Sequence, residues 1–266
     1  NVIGAEVAAG WRALDTFESY SDGSIDNLGG WINPEGVVNV VDLGSNKAMG
    51  FEAGNSLNAL QLRSWSMPVG AMNTYFSRFY ISPNDASSLI DINFGLTERP
   101  IRFSTDFNNA VAGGIGPFLR IERLADSGEI NLFAKNGVGS TPEASDFEVE
   151  AGTVYNVWFD IANELVEDGD VFSIYIQAEG DSDRTLLFEN YIADRDSAVD
   201  PFFGPPGADL VTAFFSLDPA GQGSENVLFD DLFISADGFL DTVPVAASNF
   251  VFQAAPKDPI VVSGAL

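Results

Sequence analysis

The 266-residue sequence contains no cysteine and no histidine. That excludes disulfides, thiolate or imidazole metal sites, the Ser-His-Asp triad and the Cys-His dyad. No apolar run approaches the ~18 residues that a membrane-spanning helix requires, and the 26 Gly and 13 Pro follow no three-residue period. Neither membrane insertion nor a collagen-like rod is expected. Lysine is nearly missing. Lys47, Lys135 and Lys257 stand beside nine arginines, and the 12 basic residues face 39 acidic ones, for a net charge of −27. Such a charge repels phosphate backbones and anionic headgroups, so nucleic acid and lipid surfaces are not expected partners.

What is present is enough for a core. Hydrophobic residues make up 45% of the chain and mean hydropathy is +0.08, which excludes disorder as the main state. An acidic, lysine-poor surface stays hydrated in strong salt, where screening relieves carboxylate repulsion. An extracellular or cell-surface setting, saline or marine, is therefore expected. The chain opens Asn1-Val2-Ile3, with neither an initiator methionine nor the basic and apolar regions of a leader. We therefore expect an exported protein whose targeting segment has been removed.

Short alternating or fully apolar runs, cut by Gly, Asn, Asp and Pro, predict an all-β chain. The clearest are Thr74 to Ile81, Ser88 to Phe94, Phe118 to Leu124, Glu129 to Lys135, Val154 to Ile161, Val171 to Gln177 and Val227 to Ser235. Turns at Asp126-Ser127-Gly128, Asn163 to Asp170 and Glu179 to Arg184 predict antiparallel meanders of consecutive strands. With no blade-length repeat, a two-sheet antiparallel sandwich is the expected architecture. Gly204-Pro205-Pro206-Gly207 reads as a long loop inside one domain, since strand-like segments resume at Leu210 and Val227. The expected organisation is a lead-in strand or linker over residues 1–11, the sandwich over 12–240, and a linker or added edge strand over 241–266. That last segment carries the β-prone runs Asn249 to Gln253 and Ile260 to Val262. They give it a route to self-association if they pair in a neighbouring subunit instead of their own.

The opening Phe17-Glu18-Ser19-Tyr20-Ser21-Asp22-Gly23-Ser24, followed by Gly30-Trp31, resembles the concanavalin A-like, laminin-G-type jelly rolls of secreted bacterial proteins. So do the central Tyr155-Asn156-Val157-Trp158-Phe159-Asp160-Ile161 and the closing Phe229-Asp230-Asp231-Leu232-Phe233-Ile234-Ser235. The resemblance spans roughly residues 12 to 240 and rests on short structural motifs. It implies a jelly-roll fold that serves lectins, carbohydrate-binding modules and adhesive modules, and also glycosidases and polysaccharide lyases. In similar jelly rolls Ca²⁺ sits between the first and last strands.

Alternation sorts each strand into a core face and an outer face. The outer set includes Arg78, Tyr80, Asp91, Asn93, Arg120, Glu122, Asn131, Asn156, Trp158, Tyr175 and Gln177. Read as a single surface, it mixes planar aromatics with bidentate hydrogen-bonding groups. Sugar rings stack on the former and bond through their hydroxyls to the latter. A polysaccharide or glycan is thus the expected partner, with Arg78, Tyr80, Asn93, Arg120, Glu122, Asn156, Trp158, Tyr175 and Gln177 as its contacts. The bland alternative is a solvated or loop-covered sheet face. In the closing strand, Asp230 and Asp231 are adjacent and predicted to point to opposite faces. At least one of them then meets an apolar layer and needs a cation, an arginine or backbone N–H donors. Asp15, Glu18 and Asp231 are the expected ligands of a structural Ca²⁺; a salt bridge to Arg12 is the alternative.

Evidence for catalysis is thin. No strand carries the Glu-x-Asp-x-x-Glu arrangement of glycosidases of this fold, and Asp146-Phe147-Glu148-Val149-Glu150 flanks a turn. Arg120-Ile121-Glu122 and Tyr175-Ile176-Gln177 echo two strands of alginate-lyase-like enzymes, but the histidine those enzymes use is missing. The expected function is a secreted, non-catalytic carbohydrate-binding or adhesive module. A structural subunit of a surface assembly and a lyase or glycosidase remain as alternatives.

Overall fold

The computed structural model describes residues 7–35, 38–44, 46–51, 58–62, 65–83, 89–97, 116–123, 128–137, 140–163, 170–193, 209–217 and 227–244. Among these, all regular structure is strand, arranged as a sandwich of two antiparallel sheets. The strands are β1 (Trp11–Asp15), β2 (Gly23–Ser24), β3 (Trp31–Glu35), β4 (Val38–Asp42), β5 (Lys47–Phe51), β6 (Asn58–Leu62), β7 (Met72–Ile81) and β8 (Ile90–Thr97). They continue as β9 (Phe118–Arg123), β10 (Ile130–Ala134), β11 (Glu143–Ala144), β12 (Val154–Ala162), β13 (Asp170–Ala178), β14 (Thr185–Ala193), β15 (Thr212–Leu217) and β16 (Val227–Ser235). One sheet runs β14-β13-β12-β7-β16-β5-β4-β2, with β1 also on β16; the other runs β11-β10-β9-β8-β15-β6-β3.

The seven runs picked out by alternation all become strands. Their pairing is less local than expected. Meanders do occur, as β12-β13-β14 and β8-β9-β10-β11, but β7 and β8 follow one another in sequence and lie in different sheets. β7 instead pairs β12 and β16, which are at least 73 residues away along the chain. Of the turns, Asp126 and Ser127, most of the Asn163 to Asp170 loop, and Gly204 to Gly207 lie outside the described residues.

Inward residues of the two sheets meet in one aromatic core. Phe94 of β8 lies 5.1 Å from Phe229 of β16 and 5.7 Å from Phe159 of β12, and it stacks on Phe215 of β15 at 6.1 Å. Phe215 in turn packs 4.8 Å from Phe229. Aromatic pairs at these spacings add to the burial that holds the sheets face to face.

β16 is the pivot of the first sheet. Its first half pairs β5 and its second half pairs β1, while β7 runs along its other edge. The change of partner falls where the β7 register shifts between Asp230 and Phe233, and Asp231 there has φ 53°. Phe229, Leu232 and Ile234 still reach the core, so Asp231 is the extra residue of a β-bulge.

After β16 the chain folds back over the outer side of the same sheet. Ser235 Oγ donates to the Gly238 carbonyl, Leu240 N donates to Thr74 Oγ1, and Ala8 N donates to the Pro244 carbonyl. Residues 241–244, the start of the segment expected to be a linker or an added edge strand, dock as a strap on the sandwich. Residues 245–266, which hold both β-prone tail runs, lie outside the described residues.

Candidate ligand-binding face

The outer residues read as one surface belong to two. Arg78, Tyr80, Asn156, Trp158, Tyr175 and Gln177 stand on β7, β12 and β13 of the first sheet. Asp91, Asn93, Arg120, Glu122 and Asn131 stand on β8, β9 and β10 of the second. Alternation fixes parity within a strand but says nothing about which sheet the strand joins.

On the first sheet the expected open platform is closed. Trp158 has 0% of its surface exposed, packing edge-on to Phe76 at 5.3 Å in a cluster with Trp11 and Phe233. The strap covers this cluster with Leu240 and Val243, and both indoles donate to it: Trp11 Nε1 to Thr242 Oγ1 at 3.1 Å and Trp158 Nε1 to the Thr242 carbonyl at 3.2 Å. The Tyr175 ring is taken too, because the Arg184 guanidinium lies 3.8 Å from its centroid while reaching Asp160 at 3.4 Å. Arg78, Tyr80 and Asn156 are buried, and Gln177 is half-buried, donating to the Asp181 carbonyl. The stacking role expected of Trp158 is therefore corrected: its ring belongs to a second, smaller core under the strap.

Arg78 has structural work at the β16 bulge. Its Nη1 donates to Asp231 Oδ2 at 2.7 Å and its Nε to Asn156 Oδ1 at 2.8 Å. Asp230 sits opposite Arg78 in the β7 register, accepting from Asn46 Nδ2 and from the Asp231 amide, each at 2.7 Å. The expectation that the two carboxylates face opposite ways fails because the bulge interrupts the alternation and brings both near one guanidinium. Burial, and then the neighbouring Asp231, push the Asp230 carboxyl well above the usual range. Burial also raises Asp231, against the pull of Arg78. The buried charge is met by an arginine, and that arginine is Arg78 rather than Arg12.

The other two expected calcium ligands have hydrogen bonds of their own, although Glu18 is near enough to Asp231 for its charge to raise that carboxyl further. Asp15 accepts from Phe17 N at 2.8 Å and from Tyr20 Oη and Trp31 Nε1 at 2.6 Å each, so it organises the turn after β1. Glu18 Oε1 accepts from Lys47 N at 2.8 Å. Among the described residues no three carboxylates come together as a metal group. As this donor set stands, Asp15, Glu18 and Asp231 do not fit a shared cation.

The second sheet carries a different arrangement. Ile92, Phe94, Leu119, Ile121 and Leu132 point into the core, leaving two cross-strand rows on the outer side. In one row Phe133, Arg120 and Asn93 lie side by side; in the next, Asn131, Glu122 and Asp91 do. Neighbouring strands are about 4.8 Å apart, so the six side chains form a compact patch. Arg120 is its centre. Nε and Nη2 reach Asp91 Oδ1 and Oδ2 at 2.9 and 2.7 Å, and Nη2 also reaches Glu122 Oε1 at 3.1 Å. This bidentate clamp fixes the guanidinium plane. The side chains of Arg120 and Glu122 remain 28% and 20% exposed, and Asn131 and Phe133 are half-buried. Asn93 Oδ1 is buried and has no hydrogen-bond partner. Arg120 Nη1, Glu122 Oε2 and the Asn131 amide hold no hydrogen bond to a described residue.

Gly95 keeps β8 and β9 close beside this patch. A Cβ there would lie 2.1 Å from the Pro117 carbonyl oxygen, whose lone pair instead receives Leu96 N at 2.9 Å. Of the patch, Phe133 was not anticipated. Its signal was available, since it alternates with Leu132 and shares a face with Asn131, but within an apolar run it reads as core.

The arrangement can hold a hydroxylated ligand by hydrogen bonds beside a ring face. It does not assemble the lyase-like pairs, because Arg120 and Glu122 stand on one sheet and Tyr175 and Gln177 on the other.

No family model matches the chain, and no curated protein matches it. Solved structures do resemble it in fold. A conserved carbohydrate esterase from the Shiga toxin-encoding bacteriophage phi24B shares 16% identity, with a TM-score of 0.47 over 86% of this chain and 100% of its own. A carbohydrate-binding module of family CBM66 from Bacillus subtilis shares 11%, with a TM-score of 0.38 over 80% and 96%. An endo-β-1,4-glucuronan lyase from the fungus Trichoderma reesei shares 12%, with a TM-score of 0.41 over 85% and 94%.

Proposed function

We propose that this chain is a non-catalytic carbohydrate-binding or adhesive module of concanavalin A-like type, and that it binds glycan on the outer side of β8, β9 and β10. One observation carries the reading. A clamped guanidinium stands beside a buried amide oxygen that has no partner, with a partly exposed aromatic ring next in the same row. An unmet buried acceptor costs the fold free energy, about 1–3 kcal/mol by general experience, and a ligand hydroxyl would recover it. Phe133 supplies an apolar face for a sugar ring, and Arg120 supplies donors already held in place. Binding rather than catalysis is favoured because Arg120 and Glu122 stand on one face and Tyr175 and Gln177 on the other, while the neighbouring carboxylates Asp91 and Glu122 are both bonded to Arg120. The setting we propose is extracellular; it rests on the acidic, lysine-poor composition.

The test is a polysaccharide panel probed with the full chain and two variants. Phe133→Ala should weaken binding about tenfold, in the range seen for lost base-aromatic stacking. Tyr175→Ala, on the other sheet, should leave it unchanged. Binding that depends on Tyr175 and not on Phe133, or no binding across the panel, overturns the proposal.

A further inference from the structure

The charges and free valences of the same patch also select the class of glycan, an inference that rests on the binding role proposed above. We propose that the site takes uncharged, diol-bearing sugars and excludes uronates and sulfated sugars, although an arginine stands at its centre.

Arginine in a sugar site invites an anionic ligand, since a guanidinium matches a carboxylate fork. Here that fork is already filled. Asp91 takes Nε and one Nη2 bond, and Glu122 takes a second bond to Nη2. One positive charge is set against two negative ones within hydrogen-bond distance, so Arg120, Asp91 and Glu122 taken as three groups sum to a formal charge of 1 − 2 = −1. The whole chain adds a field of the same sign, with a net charge of −27. An incoming carboxylate meets repulsion at both ranges.

Hydrogen-bond valence argues the same way. What remains unbonded in the patch is mixed: N–H donors at Arg120 Nη1 and the Asn131 amide, and acceptors at Glu122 Oε2 and at the buried Asn93 Oδ1. A carboxylate or sulfate offers acceptors only. It would use the donors, leave Asn93 Oδ1 unmet and oppose Glu122. A hydroxyl donates and accepts at once, so two adjacent hydroxyls can satisfy a donor and an acceptor each, while the ring C–H face lies toward Phe133.

The experiment compares retardation of the full chain in native gels containing neutral polysaccharides (laminarin, glucomannan) with gels containing alginate or polygalacturonate, at low and at 0.5 M NaCl. Neutral glycans should retard the protein at both salt concentrations, and uronates should not at low salt. Glu122→Gln brings the cluster to neutrality while keeping an acceptor. It should leave neutral binding within about threefold and raise uronate binding about tenfold at low salt. Asn131→Ala, which breaks no hydrogen bond to a described residue, should weaken neutral binding with unchanged melting, so a folding defect at Arg120 is not needed for the test. Retardation by uronates more than by neutral glycans in the wild type, or a Glu122→Gln variant with no gain for uronates, overturns this inference and leaves the binding role standing. Absence of retardation by either class overturns the binding role itself.

Discussion

Two neighbouring aspartates on β16 show how far a single extra residue in a strand reaches. The bulge at Asp231 places Asp230 and Asp231 on the same arginine, and burial makes the ionised form of Asp230 costly. A carboxyl raised in the folded state is protonated there when the unfolded chain has already ionised. The native state then binds more protons, and this group's contribution to stability falls as pH climbs from the ordinary carboxylate value of about 4. Asp230→Asn should remove that slope. Its amide oxygen still accepts from Asp231 N, and Asn46 can turn its own amide to present an oxygen. The variant should be more stable at pH 7 by about 1 kcal/mol or more, roughly 2–4 °C in Tm for a chain of this size, with less gain at pH 4. Melting curves across pH 4–8 check this, and a variant that is less stable at pH 7 with the slope intact contradicts it.

At the scale of elements, the legible part of the sequence was periodicity and the illegible part was partnership. β7, β8, β9, β10, β12, β13 and β16 stand out because each alternates or runs apolar for five residues or more. β1 and β3, read as Trp-Arg-Ala-Leu-Asp and Trp-Ile-Asn-Pro-Glu, are short and mixed, and their tryptophans are fixed by distant strands. Arg120 and Glu122 were recognisable as outer residues of one strand, but that Asp91 clamps Arg120 depends on register, which is set by the whole sheet. Trp158 looked like an exposed ring because its cover comes from residues some 80 positions downstream. The strap carries its own prediction. Trp158→Ala empties a site under the strap and should cost about 3–5 kcal/mol. Thr242→Val removes one acceptor, that of Trp11, and should cost about 1 kcal/mol. Urea unfolding of both variants gives the values; a Trp158→Ala chain as stable as wild type would mean that the strap does not close this face.

For the molecule as a whole, charge sets the terms. On a sandwich with an aromatic core, a net charge of −27 brings a self-repulsion that works against the compact state. Added salt shortens the screening length from about 30 Å at 0.01 M to about 3 Å at 1 M. Tm should rise steadily over that range of NaCl, and the Asp91–Arg120–Glu122 clamp, being partly buried, should survive it. A flat or falling Tm would show that the carboxylates are already compensated in the folded chain.

The central claim is that glycan binds on the outer side of β8, β9 and β10 and leaves the strapped side of the other sheet alone. Hydrogen–deuterium exchange of the full chain, with and without the best-retained neutral polysaccharide, tests it directly. The account predicts slower exchange in peptides covering residues 90–97, 118–123 and 130–134, with no change over residues 154–162 and 170–178. Protection confined to β12 and β13 would contradict it and return the site to the sheet that carries Trp158 and Tyr175.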